Sequence, residues 1–493
     1  MQARLNLNRA KAVKGKIQNA ENRSKSMAET PLHFKTITEV AELIRSKRLS
    51  PVEVTTELLG RIDQLDSRLK SYATVMADHA MAAAVKAEAE ITSGIYRGPL
   101  HGIPVAVKDL CNTVGVRTMG GTKALADHVP HFDSTVVAKL QSAGAVLLGK
   151  LNLTEGAMGG YNPEFDIPKN PWNPERWAGA SSSGSGVATA AGLCFGSLGS
   201  DTGGSIRFPS AACGTVGLKP TWGRVSRYGV LALAESLDHV GPLTRRVADA
   251  GIMLFAISGL DKNDLTSLPD PVPNMLEGLD KGVKGIRIGF DEGYATKDID
   301  PELAEAVLAG VKLLQGLGAE IVEVQVADMD EYVVAWPVLC SAEAVAAHSA
   351  TYPSQRSDYG PWFAGWLDMG AKVTGAEYAK ANNLRAACVG HLRTVFEGID
   401  VLVCPSMSGP PHSVTPAELY GPMSESRPPK FQRFTVPFDY NGAPTLSVPC
   451  GINSEGLPLS LQFVGRHLAE PLLCQVGHAY EQATEWYNMH PNV

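Results

Sequence analysis

The chain has 493 residues, 44% hydrophobic and 19% charged, with 49 glycines and a formal net charge of −7. That length suffices to bury the core of one large domain or of two to three ordinary ones, and the apolar content excludes disorder for most of it. The negative charge argues against a nucleic-acid binder that relies on a general basic surface. Glycine stands at about 10% against roughly 7% in average usage, with no collagen period to account for it.

Eight cysteines are scattered without a C-x-x-C pair, so they read as buried thiols of a reducing compartment and not as disulfides or a zinc site. No secretory signal is visible. The longest uncharged stretch worth testing as a membrane span, Trp177 to Ser200, is half Gly and Ser over its 24 residues and makes a poor bilayer helix. The expected location is cytoplasmic.

The first 30 residues carry seven Lys/Arg against two Glu, which leaves −12 on the remainder. Such a segment could be a transit peptide; we read it as a solvated tail or an upstream start ahead of Met27. The folded domain is then expected over 31–493. Thr38, followed by Val40, Leu43 and Ile44, predicts a capped helix. Ser50-Pro51-Val52-Glu53 predicts a second, with a capping box and proline at its first position. Two helices would thus precede any chemistry.

From about residue 100 short apolar runs alternate with helical patterns. Ile103 to Val107, Ala145 to Leu148 and Leu193 to Leu198 read as buried strands, with a helix over Ser134 to Ala143. Later, Ile286 to Phe290 reads as a strand. A helix opens at Asp300-Pro301 with Val307, Val311 and Leu314 on one side and stops at Gly318, and Ile321 to Val326 forms the next strand. The alternation implies an α/β protein with a largely buried sheet. Leu260 to Lys284 and Ser406 to Pro429 read as surface loops.

Gly144 to Lys150 nearly spells a phosphate-binding loop, but Leu151 replaces the Ser or Thr that holds magnesium, and the intervening residues form an apolar strand. Nucleotide binding there is rejected on those grounds. No H-E-x-x-H occurs and the histidines are dispersed, so neither a metal nor a cofactor is expected. There is no G-x-S-x-G elbow either, which counts against an α/β-hydrolase triad.

Trp177 to Ser205 holds eight glycines in 29 residues, enough to let two backbones, or backbone and ligand, come close together. It ends in Asp201-Thr202-Gly203-Gly204-Ser205 after a predicted strand. A serine on such a turn can expose its hydroxyl while neighbouring N–H groups converge on one point, the geometry of an oxyanion hole. A glycine-rich turn with an incidental serine reads equally well from these residues alone. Lys108 ends the apolar run Gly102 to Asp109. It would be desolvated there and able to accept a proton as a neutral amine, although a strand-end lysine reaching water is the simpler reading of that segment.

Together these segments resemble the amidase signature family. Its serine-rich motif is answered by Gly179 to Ser185, its nucleophile motif by Asp201 to Arg207, its G-x-x-G-L-K-P-T by Gly214 to Thr221, and its lysine strand by Gly102 to Asp109. The 24-residue gap between Ser181 and Ser205 also agrees. The resemblance runs from about residue 35 to 485 and includes Gly442-Ala443-Pro444 and Ser447-Val448-Pro449. It implies a single large α/β domain with a central mixed sheet covered by helices on both faces. It also implies Ser205 as nucleophile, Ser181 as a bridging serine on a cis peptide bond, and Lys108 as base. The N–H groups of Thr202, Gly203, Gly204 and Ser205 would bind the oxyanion. Ser182 and Ser183 are expected to hydrogen-bond the loop, and Asp201 with Arg207 to form a structural pair.

Within the family, the glutaminase component of the tRNA-dependent amidotransferase uses charges for the glutamine carboxylate. Phe363 to Leu367, and Gln432 ahead of Phe434-Thr435-Val436, lack them here. Instead seven aromatics fall between Tyr332 and Trp366: Tyr332, Trp336, Tyr352, Tyr359, Trp362, Phe363 and Trp366. Ordinary helix packing explains most of them, and one or two are expected to face the cleft. Trp362 and Trp366 are the candidates, together with Ala157 and Met158. The expected activity is hydrolysis of small uncharged amides with an apolar or aryl group, with carbamates and esters as extras. The expected partner is that small molecule, with no nucleic acid or membrane, and a homodimer stays open.

Overall fold

The structure, a computed structural model, describes residues 30–423 and 432–493. Apart from Thr30, the basic segment 1–30 lies outside the described residues. The first helix, Ile37–Arg45, is capped by Thr36 and not by Thr38. Glu39 stands three residues after Thr36, so side chain and backbone close a reciprocal capping box, with Glu39 N–H donating to Thr36 Oγ1 at 3.0 Å. The helix Pro51–Leu69 begins as expected, with Ser50 accepting from Val52 N–H at 2.9 Å. A strand, Tyr72–Val75, and a helix, Ala77–Thr92, also precede the chemistry. The helix buries only Ala80, Ala84, Ala87 and Ile91, and a stripe of methyl groups gives little periodic contrast to read.

Eleven strands among the described residues form one mixed sheet. They are β1 Tyr72–Val75, β2 Pro104–Lys108, β3 Val146–Leu151, β4 Gly196–Asp201, β5 Val216–Lys219, β6 His239–Thr244, β7 Arg287–Phe290, β8 Glu320–Glu323, β9 Val401–Pro405, β10 Thr445–Ile452 and β11 Pro458–Gly465, in the spatial order β1-β3-β2-β4-β6-β5-β10-β11-β9-β7-β8. β2 runs parallel to β3 and β4, and β7 parallel to β8 and β9. The centre, from β4 through β11, is antiparallel. Every residue of β2, β3, β4, β6 and β11 is buried. Because successive side chains point to opposite faces, burial without alternation means both faces are covered. One apolar cluster runs from Ile37 to Tyr480, so the chain has a single main core.

The Gly144 to Lys150 segment is strand: Lys150 is buried, with its Nζ 2.6 Å from Thr118 Oγ1 and 3.2 Å from Asp109 Oδ1. That confirms the rejection of a phosphate loop. All eight cysteines are free and buried. No helix among the described residues is long and apolar enough to cross a membrane.

Candidate active site

The parallel pairing of β2 with β4 sets the site. Ala106 lies beside Ser197 and Val107 beside Leu198, so the strands end side by side, with Lys108 closing one and Asp201 the other. The C-terminal ends of parallel strands are where open α/β sheets bind ligands. The serine-rich segment is pinned onto β4 by its own hydroxyls. Ser182 Oγ donates to Ser200 O and accepts from Ser200 N–H, both at 3.2 Å, and Ser185 Oγ donates to Leu198 O at 3.0 Å. Ser183 Oγ accepts from Tyr161 OH at 2.8 Å. These serines serve the loop, as expected.

The glycines permit that contact. A Cβ on Gly184 would stand 2.5 Å from the carbonyl oxygens of both Asn152 and Ser71. Gly179, at φ +86°, leaves no room for a Cβ against the Pro209 backbone. The peptide bond between Ala180 and Ser181 is cis.

Lys108 is wholly buried, with its Nζ 2.6 Å from Ser181 Oγ and 2.8 Å from Ser200 Oγ. Ser200 is a partner that the sequence did not single out. Burial lowers the lysine from its ordinary 10.5 to about 7, and the neighbouring Cys111, Asp201 and Asp238 oppose that only in part. The residue expected to reach water is therefore sealed from it.

The turn after β4 is held by a buried ion cluster. Arg207 Nη2 lies 2.8 Å from Asp201 Oδ1 and 2.7 Å from Asp439 Oδ2, and Arg207 Nη1 donates to Thr435 O at 2.8 Å. Burial alone would raise the Asp201 carboxyl, but the Arg207 guanidinium outweighs it and holds the group below the usual carboxylate range. Asp201 also takes the N–H of Gly204 at 2.6 Å and of Ile206 at 2.9 Å. The Gly204 N–H expected in the oxyanion hole is thus directed to a carboxylate, and this part of the expectation is corrected. Thr202 and Gly203 are steadied through their carbonyls, by Trp336 Nε1 at 2.9 Å and Thr435 Oγ1 at 2.7 Å.

Ser205 lines a cavity of about 700 Å3, together with Thr202, Gly203, Ala157, Met158, Trp362 and Trp366. Trp336 completes a row of three indoles, its ring 5.7 Å from that of Trp366, which is 5.9 Å from Trp362. Three of the seven aromatics therefore face the cavity. Tyr332 instead meets His391, Tyr352 bonds Asp368, and Tyr359 bonds His348. Trp177 and Phe208 also line it, although they sit inside the motifs already quoted. So do Ala417, Glu418, Pro422 and Met423, from a stretch read as a surface loop. Glu418 is the only charged side chain among the described lining residues. Gln432 lies on the wall as well.

A buried amine bonded to a serine, beneath a cavity that carries a second serine on a glycine turn, defines a hydrolase-type acyl-transfer site. The Amidase family model matches residues 53–474, and the chain belongs to that family, the amidase signature amidohydrolases. It is 44% identical to amidase AmiD of Mycobacterium tuberculosis over 458 residues, 93% of this chain and 96% of that protein. It is 38% identical over 484 residues to the glutaminase component of the glutamyl-tRNA(Gln) amidotransferase of Geobacter metallireducens, covering 92% and 98%. Among solved structures, a bacterial aryl acylamidase of the amidase signature family superposes at a TM-score of 0.84 with 27% identity, over 93% and 99% of the two chains. A peptide amidase superposes at 0.83 with 29% identity, over 93% and 99%.

Proposed function

We propose that this amidohydrolase cleaves small uncharged amides bearing an apolar or aryl group, through Ser205, Ser181 and Lys108. The observation that carries the reading is the 2.6 Å contact between a buried, largely neutral Lys108 and Ser181, directly behind the tryptophan-lined cavity that holds Ser205. Lys108 accepts a proton from Ser181, which takes one from Ser205 as Ser205 Oγ attacks the carbonyl carbon. The N–H groups of Thr202, Gly203 and Ser205 hold the oxyanion, with Gly204 keeping the turn open for them. The C–N bond then breaks as Ser181 returns its proton to the leaving nitrogen and is reprotonated by Lys108. Water attacks the acyl-enzyme, its proton entering the same relay, and the acid leaves.

The aromatic wall and its single carboxylate favour a substrate without a carboxylate of its own, in keeping with the aryl acylamidase likeness. Aryl carbamates and esters share the oxyanion chemistry and are proposed as further substrates. The test compares acetanilide, an aryl carbamate and glutamine by released amine or ammonia. Acetanilide is expected to be turned over faster than glutamine, and Ser205→Ala to lower its rate by roughly a thousandfold or more. Glutamine as clearly the best substrate, or a covalent adduct trapped on another residue, would overturn the reading.

A further inference from the structure

The loop after β3, residues 154–160, touches both halves of the site and carries one buried carboxylate that the chemistry above does not use. At its start the Thr154 N–H donates to Ser181 O at 3.2 Å. Glu155 follows and turns inward, 1% exposed. Its Oε1 accepts from Asn162 Nδ2 and its Oε2 from the Gly360 N–H, each at 2.8 Å. The Thr122 hydroxyl is a further hydrogen-bond partner. Gly360 caps the helix Pro361–Gly370, which carries Trp362 and Trp366. Loop and helix interlock around this carboxylate: a Cβ on Gly160 would stand 2.5 Å from Trp362 Cβ, and one on Gly156 would strike the Phe363 ring. Ala157 and Met158, two and three residues beyond Glu155, line the cavity opposite those indoles.

We propose that Glu155 is a positioning residue for substrate selection: it latches the tryptophan helix to the loop whose start is bonded to Ser181, and so fixes the aryl-binding wall relative to the reacting serines. The proposal rests on the aryl-amide reading above. The backbone N–H and the asparagine amide are fixed donors, so the site calls for an acceptor at each oxygen, which a carboxylate supplies and a primary amide does not. Glu155→Gln turns one acceptor into a donor facing a donor. Losing one charge-assisted hydrogen bond in a buried wall is expected to change binding by about tenfold.

Two measurements test this. The first is the ratio of kcat/KM for acetanilide to that for acetamide, which Glu155→Gln should lower about tenfold and Asn162→Ala, removing one of the two arms, severalfold. In a Trp362→Ala background the same substitutions should leave the ratio where Trp362→Ala alone puts it, because the latch then has no indole to hold. The second is calorimetric binding of acetanilide to Ser205→Ala protein, with and without Glu155→Gln, which needs no turnover. Weaker binding by about tenfold is expected. A ratio and an affinity that do not move in either variant, or effects that multiply with that of Trp362→Ala, would overturn the latch. Failure of the Ser205→Ala parent to bind acetanilide would instead overturn the aryl-amide reading beneath it. Should Glu155→Gln not fold, Asn162→Ala decides alone.

Discussion

The pH dependence of turnover is the sharpest consequence of the buried lysine. Burial takes Lys108 from its ordinary 10.5 to about 7, which amounts to about 5 kcal/mol against the ammonium form. Only the neutral amine can accept the proton, so the rate should follow its fraction, about one part in eleven at pH 6 and about ten in eleven at pH 8. At the ordinary value the neutral fraction at pH 7 would be about three in ten thousand. The assay is kcat/KM for acetamide from pH 5 to 10, read by ammonia release. Acetamide is chosen because burial also pushes Glu155 up to about 7, and that group is argued to act on aryl substrates. A roughly tenfold rise between pH 6 and 8, levelling above, is expected. A rate that still climbs tenfold per pH unit through pH 9, or one flat down to pH 5, would refute the reasoning.

The same burial should appear in stability. Between about pH 7 and 10.5 the unfolded chain holds a proton on Lys108 that the folded chain lacks, so this group makes stability rise with pH across that window, its penalty being complete below it. Lys108→Met should remove that part of the rise, and denaturation midpoints across pH 7 to 10.5 that move in parallel with the parent would contradict it. Arg207→Met leaves Asp201 and Asp439 buried without their cation and should cost about 3–5 kcal/mol, seen as a lower urea midpoint. An unchanged midpoint would show that the cluster does not hold the turn. Gly184→Ala presses a methyl between two backbone carbonyls and should displace the serine-rich segment, lowering kcat by tenfold or more even where folded protein is recovered. Parental kcat and melting temperature in that variant would rule out the tight approach.

The reacting residues were legible because their chemistry is written locally. A glycine-dense stretch announces close backbone approach, Ser205 follows a strand on a tight turn, and Lys108 ends an apolar run, which is enough to expect it desolvated. The capping box at Ser50 was legible for the same reason. Its counterpart at Thr36 was displaced by two residues, because both threonines precede the apolar set and only the reach of Glu39 chooses between them.

The opposite limit appears in the cavity wall. Seven aromatics in one stretch indicated an apolar pocket, but which face each ring turns depends on helix packing, and only Trp336, Trp362 and Trp366 of the seven turn inward. Trp177 and Phe208 come from segments already assigned to the reaction, while Pro422 and Met423 come from a proline-rich stretch with no period to read. A wall of single residues from separate segments leaves no signature in any one of them.

Sequence alone therefore determined the family, the α/β class and the three residues proposed to react, since motif spacing and strand ends are properties of short segments. Tertiary structure decided which N–H groups remain for the oxyanion, because Asp201 reaches back along its own turn to take that of Gly204. It also decided that Ser200 shares the lysine, and that Glu155 ties the tryptophan helix to the loop after β3. Each of these depends on where a buried polar atom finds its partner. That partner is fixed by the packing of strands and helices distant in sequence, under the penalty for leaving such an atom unpaired.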